Sequence, residues 1–376
     1  MTADAVSGVL TYAVTLASEL ARTGTKTHLA LMGPEPRPEQ LAAARAIPGL
    51  VIHESTHALE WMHEPWADLA RAVDWLRDLE KRVRPDIVHL NGAAHGAAGF
   101  TAPVLVVAHS CLLSWWEAVE GTSVPERYAT YREAVKRGLR AADAVIVASG
   151  TMRASLARHY GPLPRTAVVP NGLAVAAAPG RERERLVLAA GRAWDRGKNL
   201  EILARAAGKL PWPVKIAGAS AAPGVAADRT ESRAFARDNV ELLGWLPQGE
   251  LWAWMDRAAI FAAPAKYEPF GLAVLEAALR GAALVLGDIA SSRELWSDAA
   301  VFVRPDDEAG LIDAVSRLAA DDARRAELAA AANLRAQLFT PARNARAMRE
   351  LYDAILRGRR IPTSILQGRE SRTAGA

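Results

Sequence analysis

The 376-residue chain carries 46 Lys and Arg against 42 Asp and Glu, for a formal net charge of +4, with 51% hydrophobic and 23% charged residues, an ordinary balance for a globular chain of two or three domains. That charge is too small to demand nucleic acid, and the single cysteine, Cys111, excludes an internal disulfide and any zinc site built from cysteines. Without a charged start leading into an apolar core, or a run of about 18 apolar residues, the chain is expected to be cytoplasmic, with neither signal peptide nor membrane span.

In chain order, Val9, Leu10, Tyr12, Ala13, Leu16 and Leu20 recur with helical spacing and Gly24 closes the element, so a helix follows Gly8 after a first strand shortened to a few residues. In a doubly wound α/β domain such a glycine turn brings a phosphate to the free amides of a helix N-terminus. Residues 27–32 read as a strand, a Gly/Pro loop follows, a short helix starts at Glu39, and Val51-Ile52 is a brief strand. Residues 66–83 read as an amphipathic helix, then 86–90 and 104–108 as strands. This alternation predicts a parallel sheet whose ligands gather at the strand C-terminal ends. His89 and His109 stand at such ends, each either a structural histidine or a ligand contact.

Residues 113–140 read as one helical stretch joining Trp115 and Trp116 to Arg127, Arg132, Lys136, Arg137 and Arg140. It is either a solvated face beside a core helix or a peripheral contact with an anionic membrane. A strand over 143–149 follows, with Ser149 capping a helix over 151–159, and 168–172 form a strand and turn through Asn171-Gly172.

A polar linker, 181–185, leads into a strand over 186–190 and the loop Gly191-Arg192-Ala193-Trp194-Asp195-Arg196-Gly197-Lys198-Asn199. Arg192 and Lys198 leave a strand end and flank a helix start, an arrangement suited to a diphosphate. The loop is not a P-loop, which needs four residues between its glycines and Ser or Thr after the lysine. Strands over 214–218 and 240–245 are separated by a polar loop, 224–238; a helix at 251–255 and a strand at 260–264 follow. Residues 272–280 form a nearly all-apolar helix ended by Gly281, and its one carboxylate, Glu276, needs either an arginine or the hydroxyls of a ligand. Glu268 lies just before that helix. A strand over 283–287, a capping box at Ser291-x-x-Glu294, and helices over 309–318, 324–335 and 341–356 complete the chain, whose end, 368–376, reads as a mobile tail. The chain contains no Asp-x-Asp, so no metal is expected.

The string from Tyr267 to Glu276, with Pro-Phe-Gly-Leu following Glu268 and seven residues between the two glutamates, resembles the donor-binding signature of glycosyltransferase family 4. Those are retaining nucleotide-sugar transferases of GT-B architecture, in which two Rossmann-like domains face across a cleft. The resemblance implies an acceptor-side domain over 1–172, a nucleotide-sugar domain over 173–340, a helix over 341–358 returning to the first domain, and a tail over 359–376. It implies a UDP- or GDP-sugar donor, a sugar, lipid-linked or small-molecule hydroxyl acceptor, no cofactor, and work in glycan, glycolipid or polysaccharide synthesis.

By the same resemblance Gly8 belongs to a glycine loop, His109 and Glu268 face the donor sugar, and Arg192 and Lys198 meet the diphosphate. Backbone at Gly244, Trp245 and Leu246 would contact the base, amides of Phe270, Gly271 and Leu272 the sugar, and Glu276 the ribose. Alternatives on the same frame are a nucleotide-sugar epimerase or phosphorylase, and a nucleotide-sugar-binding protein without turnover.

Overall fold

Every strand pairing among the described residues is parallel, which requires each strand to be followed by a crossover and buries both faces of each sheet. The structure, a computed structural model, describes residues 1–6, 8–175, 182–222, 235 and 237–359. Most of the polar loop expected over 224–238, and the tail beyond 359, lie outside them. The chain divides into two units: one comprises Met1–Glu117, Gly121–Gly172 and the segment from Pro341, the other Leu173–Thr340 with Ala118–Glu120.

In the first unit, β1 (Thr2–Asp4), α1 (Val9–Ala21), β2 (Thr27–Met32), α2 (Pro38–Arg45), β3 (Leu50–Glu54) and α3 (Trp66–Val83) build a three-stranded sheet of order β1-β2-β3. A second sheet of order β4-β5-β6-β7 comes from β4 (Val88–Leu90), β5 (Val104–Ala108), α4 (Leu112–Glu120), α5 (Ala129–Ala141), β6 (Ala144–Val147), α6 (Gly150–Tyr160) and β7 (Thr166–Val168). The sheets meet where the Asn91 amide donates to Thr2 Oγ1 at 2.9 Å. Tyr12, Leu16 and Leu20 of α1 pack with Met348, Leu351 and Tyr352 of the C-terminal helix on Leu105, Val107 and Ile146. That helix therefore covers the sheet face beside α1, and Asn344 Nδ2 fixes it to Pro170 O at 2.8 Å.

The second unit holds one six-stranded sheet of order β10-β9-β8-β11-β12-β13, the doubly wound arrangement in which the strand order reverses between β8 and β11. Its elements are β8 (Glu184–Ala190), α7 (Leu200–Ala206), β9 (Val214–Ala217), β10 (Val240–Gly244), α8 (Gln248–Arg257), β11 (Ala258–Ala263), α9 (Leu272–Leu279), β12 (Ala283–Gly287), α10 (Ala290–Trp296), β13 (Val301–Val303), α11 (Glu308–Ala320) and α12 (Asp322–Ala336); α13 (Pro341–Leu356) is the C-terminal helix of the first unit.

Several expectations change. The strand expected from Asp86 begins at Val88, because Pro85 has no amide for the ladder and the first pairing is Val88 with Val104. The single basic stretch over 113–140 is two helices, broken at Gly121 with φ +65 and again at Pro125. Trp115 and Trp116 lie on α4 and most of the cations on α5; Arg127, between the helices, stacks on Trp116 and Tyr128 at 4.8 and 5.1 Å. The linker expected over 181–185 ends in strand, since β8 starts at Glu184. Arg183 Nη1 donates to Met255 O at 2.9 Å and Ala258 O at 2.7 Å, supplying donors to carbonyls that α8 leaves open at its C-terminal end. Ser291 does not cap a helix: it lies inside α10, and its hydroxyl donates to Glu268 O at 2.6 Å.

Arg280, at the end of α9, forks onto the Asp256 carboxylate of α8 with both side chains under 10% exposed, and its guanidinium lies 5.6 Å from the Trp252 ring. Removing one member of a buried, bidentate pair strands the other charge. Asp256→Ala should therefore lower the unfolding free energy by about 3 kcal/mol in urea titrations followed by tryptophan fluorescence. Asp256→Leu with Arg280→Met should recover most of that loss.

Candidate active site

The polar residues of the second unit collect at the carboxyl ends of its strands, where successive backbone groups run out of ladder partners. The loop after β8 carries Arg192 and Lys198; the segment after β11 carries Glu268. Asp195, buried in a turn of the first loop, accepts from Arg192 Nη2 at 2.6 Å and from the Gly197 amide at 2.9 Å. Arg192 is thereby fixed by its own loop, 5.4 Å from the Trp194 ring, while its Nε is buried without a hydrogen-bond partner. A buried donor left unmet beside a strand end is suited to an oxyanion. Lys198 Nζ donates to Glu268 Oε2, so two residues seventy positions apart in sequence form one ion pair, each about four-fifths buried.

Two glycines shape this end of the sheet. At Gly218, with φ +139, a Cβ would fall 1.7 Å from Gly191 O, so the strand ends can close on one another only with glycine there. At Gly271 the left-handed φ of +87 turns the chain into α9.

Glu276 lies one face further on, on α9, and is 7% exposed. Its Oε1 accepts from Trp252 Nε1 at 3.1 Å and from Gln248 Nε2 at 3.2 Å. Both partners belong to α8 and both are neutral. Burial holds the carboxyl above the usual carboxylate range, and the two hydrogen bonds oppose that rise. Among the described residues no arginine pairs with it; the nearby Arg280 is committed to Asp256.

Gly244 ends β10 and Trp245 and Leu246 follow it, with Gly244 at φ +67 and its carbonyl accepting from Gly218 N at 2.7 Å. Strand β9 separates β10 from β8, so this segment lies two interstrand steps, about 10 Å, from the loop of Arg192 and Lys198. Phe270, expected at the donor through its amide, has its side chain 6% exposed and edge-on to Phe339 at 5.5 Å, leaving its backbone for a ligand. Leu272 opens α9 and is half-buried.

Gly8 and His109 belong to the first unit. Gly8 is the N-cap of α1 with an ordinary φ of −67, and its carbonyl accepts from the Tyr12 amide at 2.9 Å; Ser7 beside it is outside the described residues. Before it, Asp4 Oδ1 accepts from the Val6 amide at 3.0 Å. His109 follows β5, half-buried, with Nε2 2.8 Å from Asn91 Oδ1 and the Tyr12 ring edge-on at 4.6 Å. Burial lowers its pKa to about 4. His89 is a buried structural histidine, with Nδ1 2.6 Å from Tyr352 Oη and Nε2 3.2 Å from Asn91 Oδ1.

Sequence reasoning missed Asp195, Gln248, Trp252 and Asn91. The Asp-x-Gly turn at Asp195 carries a signal of its own, since Asx side chains bond amides two residues on. Gln248 and Trp252 are one helical turn apart, a spacing that says nothing of what they face.

Two family descriptions match the chain: "Glycosyltransferase Family 4" over residues 6–176 and "Glycosyl transferases group 1" over 184–321. The chain is 29% identical over 301 residues to a glycogen synthase of Mycobacterium tuberculosis, covering 74% of this chain and 71% of that protein. It is 28% identical over 299 residues to a D-inositol 3-phosphate glycosyltransferase of Xylanimonas cellulosilytica, covering 71% of each. Among solved structures, sucrose-phosphate synthase from Thermosynechococcus elongatus superposes with a TM-score of 0.74 at 24% identity over 93% of each chain. Anabaena HepE in complex with UDP-glucose gives 0.74 at 17% identity over 94% of this chain and 99% of that one. With strand order, signature and matched regions agreeing, the chain joins a Glycosyltransferase Family 4 domain to a Glycosyl transferases group 1 domain and is a transferase enzyme of the GT-B fold.

Proposed function

We propose that the protein moves a sugar, with retention of anomeric configuration, from a UDP- or GDP-sugar to a hydroxyl acceptor without a metal. The observation that carries the proposal is Glu276: a buried carboxylate whose donors among the described residues, Trp252 and Gln248, are neutral and meet Oε1, which leaves Oε2 for the hydroxyls of a ribose. Arg192 and Lys198 act on the diphosphate, and Glu268 with the amides at Phe270, Gly271 and Leu272 holds the sugar. The base lies against the backbone at Gly244 to Leu246, and His109 meets the donor sugar from the first unit, which also takes the acceptor. The UDP-glucose bound by HepE favours UDP among the candidate bases.

In this mechanism the acceptor hydroxyl attacks the anomeric carbon from the face that the diphosphate leaves. The bond to the diphosphate breaks through an oxocarbenium-like transition state, and a phosphate oxygen takes the acceptor's proton. Charge grows on the leaving phosphate as the bond lengthens, so fixed donors aimed there stabilise the transition state more than the bound donor. Lys198 must exchange Glu268 for phosphate oxygen as this happens. Retention rests on the resemblance of the Glu268-x7-Glu276 string. Thermal-shift titration with UDP-, GDP- and ADP-sugars, followed by assay of nucleoside diphosphate release with acceptors, tests the reading. An epimerase would change the sugar with no acceptor present, and a binding protein would be stabilised without release.

Transfer should persist in excess chelator, since Arg192 and Lys198 supply the positive charge; loss restored by manganese would count against them. Lys198→Ala should lower kcat about a hundredfold, the effect of removing one transition-state donor worth on the order of 3 kcal/mol, with the melting temperature little changed. Arg192→Lys should recover only part of wild-type activity, because an ammonium lacks the fork that a guanidinium offers phosphate oxygens.

Glu276→Gln separates function from stability. Because burial raises the carboxyl's pKa, the folded chain keeps this proton at a pH where the unfolded chain has lost it, so the group's contribution to stability falls as pH rises from the ordinary carboxylate pKa through the raised one. The amide removes that pH dependence. Donor affinity should drop while the melting temperature at neutral pH holds or rises, and unchanged affinity with a lower melting temperature would assign Glu276 to the scaffold.

A further inference from the structure

In the first unit, a hydrogen-bonded chain runs from the C-terminal helix to His109. Asn91 Nδ2 donates to Thr2 O at 2.6 Å, and a backbone carbonyl can only accept. The orientation of the Asn91 amide is therefore settled, and its Oδ1 faces two imidazoles: His109 Nε2 at 2.8 Å and His89 Nε2 at 3.2 Å. An amide oxygen can only accept, so each ring carries its proton on Nε2. His89 Nδ1 is then bare and accepts from Tyr352 Oη at 2.6 Å, with Tyr352 held on α13 in the core beside Met348 and Leu351. His109 Nδ1 is also bare, and it makes no hydrogen bond among the described residues. Tyr12 lies edge-on against the His109 ring at 4.6 Å and 67°.

We propose that Asn91 is a positioning residue for glycosyl transfer, one that holds His109 in its Nε2–H tautomer so that the bare Nδ1 accepts a hydrogen bond from a hydroxyl of the donor sugar. His89 and Tyr352 keep Asn91 Oδ1 turned toward that task, so the last helix of the chain serves the site through three side chains. The proposal rests on the reading above that His109 meets the donor sugar. Asn91 itself touches no substrate; it acts through the ring.

The ionisable groups that reach His109 are the Tyr12 phenol from α1 and the His89 ring from β4. Beyond His89 lie the Tyr352 phenol from α13 and the Met1 amino group, whose charge acts on His89. Burial keeps both rings neutral at physiological pH. A carboxylate in place of the Asn91 amide would favour the imidazolium, raise the His109 pKa, and put a proton on Nδ1 at neutral pH. The ring would then donate where it should accept.

Two measurements on the full chain test this. Long-range proton–nitrogen NMR of histidine-labelled protein without ligand, with His109 assigned by difference from His109→Gln, should show Nε2 protonated and Nδ1 bare. A proton on His109 Nδ1 would overturn the proposal whatever the enzyme's substrate. Asn91→Asp should then raise the donor KM, with UDP-glucose as probe, by about tenfold near pH 6.5, and the deficit should close as pH rises above the new His109 pKa while the wild type stays flat. A deficit independent of pH would reduce Asn91 to a packing role and also overturn the proposal. If the tautomer is as assigned but Asn91→Asp leaves donor kinetics unchanged at every pH, His109 does not meet the sugar, and the functional reading fails separately from the tautomer assignment.

Discussion

The site in the second unit depends on one clasp between loops. The carbonyl of Gly197 accepts the amides of both Lys266 and Tyr267, at 2.9 and 3.2 Å. The next residue but one, Asn199, held at a left-handed φ of 55, uses its side-chain amide to bridge Pro264 O at 2.8 Å and Pro305 O at 2.7 Å. These bonds tie the loop after β8 to those after β11 and β13. Since β8 and β11 are neighbours in the sheet, and Lys198 sits between the two clasping residues, its side chain has to emerge beside Glu268. The ion pair follows from strand order and backbone hydrogen bonding, which is why residues so distant in sequence meet.

A shared device prepares Glu276 in one unit and His109 in the other. Each is a titratable side chain held on one polar atom by neutral partners, Trp252 and Gln248 for the first and Asn91 for the second. A buried carboxylate costs several kcal/mol, and hydrogen bonds to a charged group return about 1.5–3 kcal/mol each. Two neutral donors therefore leave Glu276 undersupplied, in keeping with its raised pKa. An arginine in their place would satisfy the carboxylate and remove the proposed role for ligand hydroxyls. The scaffold instead orients the group and leaves a deficit that a ligand can fill.

The sequence made most of the fold legible because the signals were local. Thr27–Met32, Trp66–Val83 and Val104–Ala108 are the elements their periodicity describes, and Ser149 caps α6 by accepting from the Met152 amide. The errors arose where a local pattern competed with a tertiary partner. Ser291 fits a capping box, yet its hydroxyl serves a backbone carbonyl of the Glu268 loop. Arg183 reads as a linker charge, yet it is drawn to the open carbonyls at the end of α8. The charged members of the candidate site are named from motif and resemblance, whereas the residues that hold them are seen only in the structure. Asn91, Gln248 and Trp252 matter through a partner from another element, and no spacing within the chain records such a pairing.

Arg192 and Lys198, the two cations of the proposed diphosphate position, are both compensated. Each has a carboxylate partner, Arg192 with Asp195 and Lys198 with Glu268, so neither cation is stranded in a partly buried place. The two pairs are not equivalent. Asp195 is pinned by the Gly197 amide as well as by Arg192, so Arg192 has one orientation, with its unmet Nε already in place. Glu268 has its backbone held by Ser291 but its carboxylate engaged by Lys198, a flexible ammonium. On the proposed reading, an arriving diphosphate would meet a rigid donor in Arg192 and an exchangeable one in Lys198, and the exchange would release Glu268 toward the sugar hydroxyls. One ion pair would then couple the two halves of donor recognition, the lysine reaching phosphate only as the glutamate becomes available to the sugar.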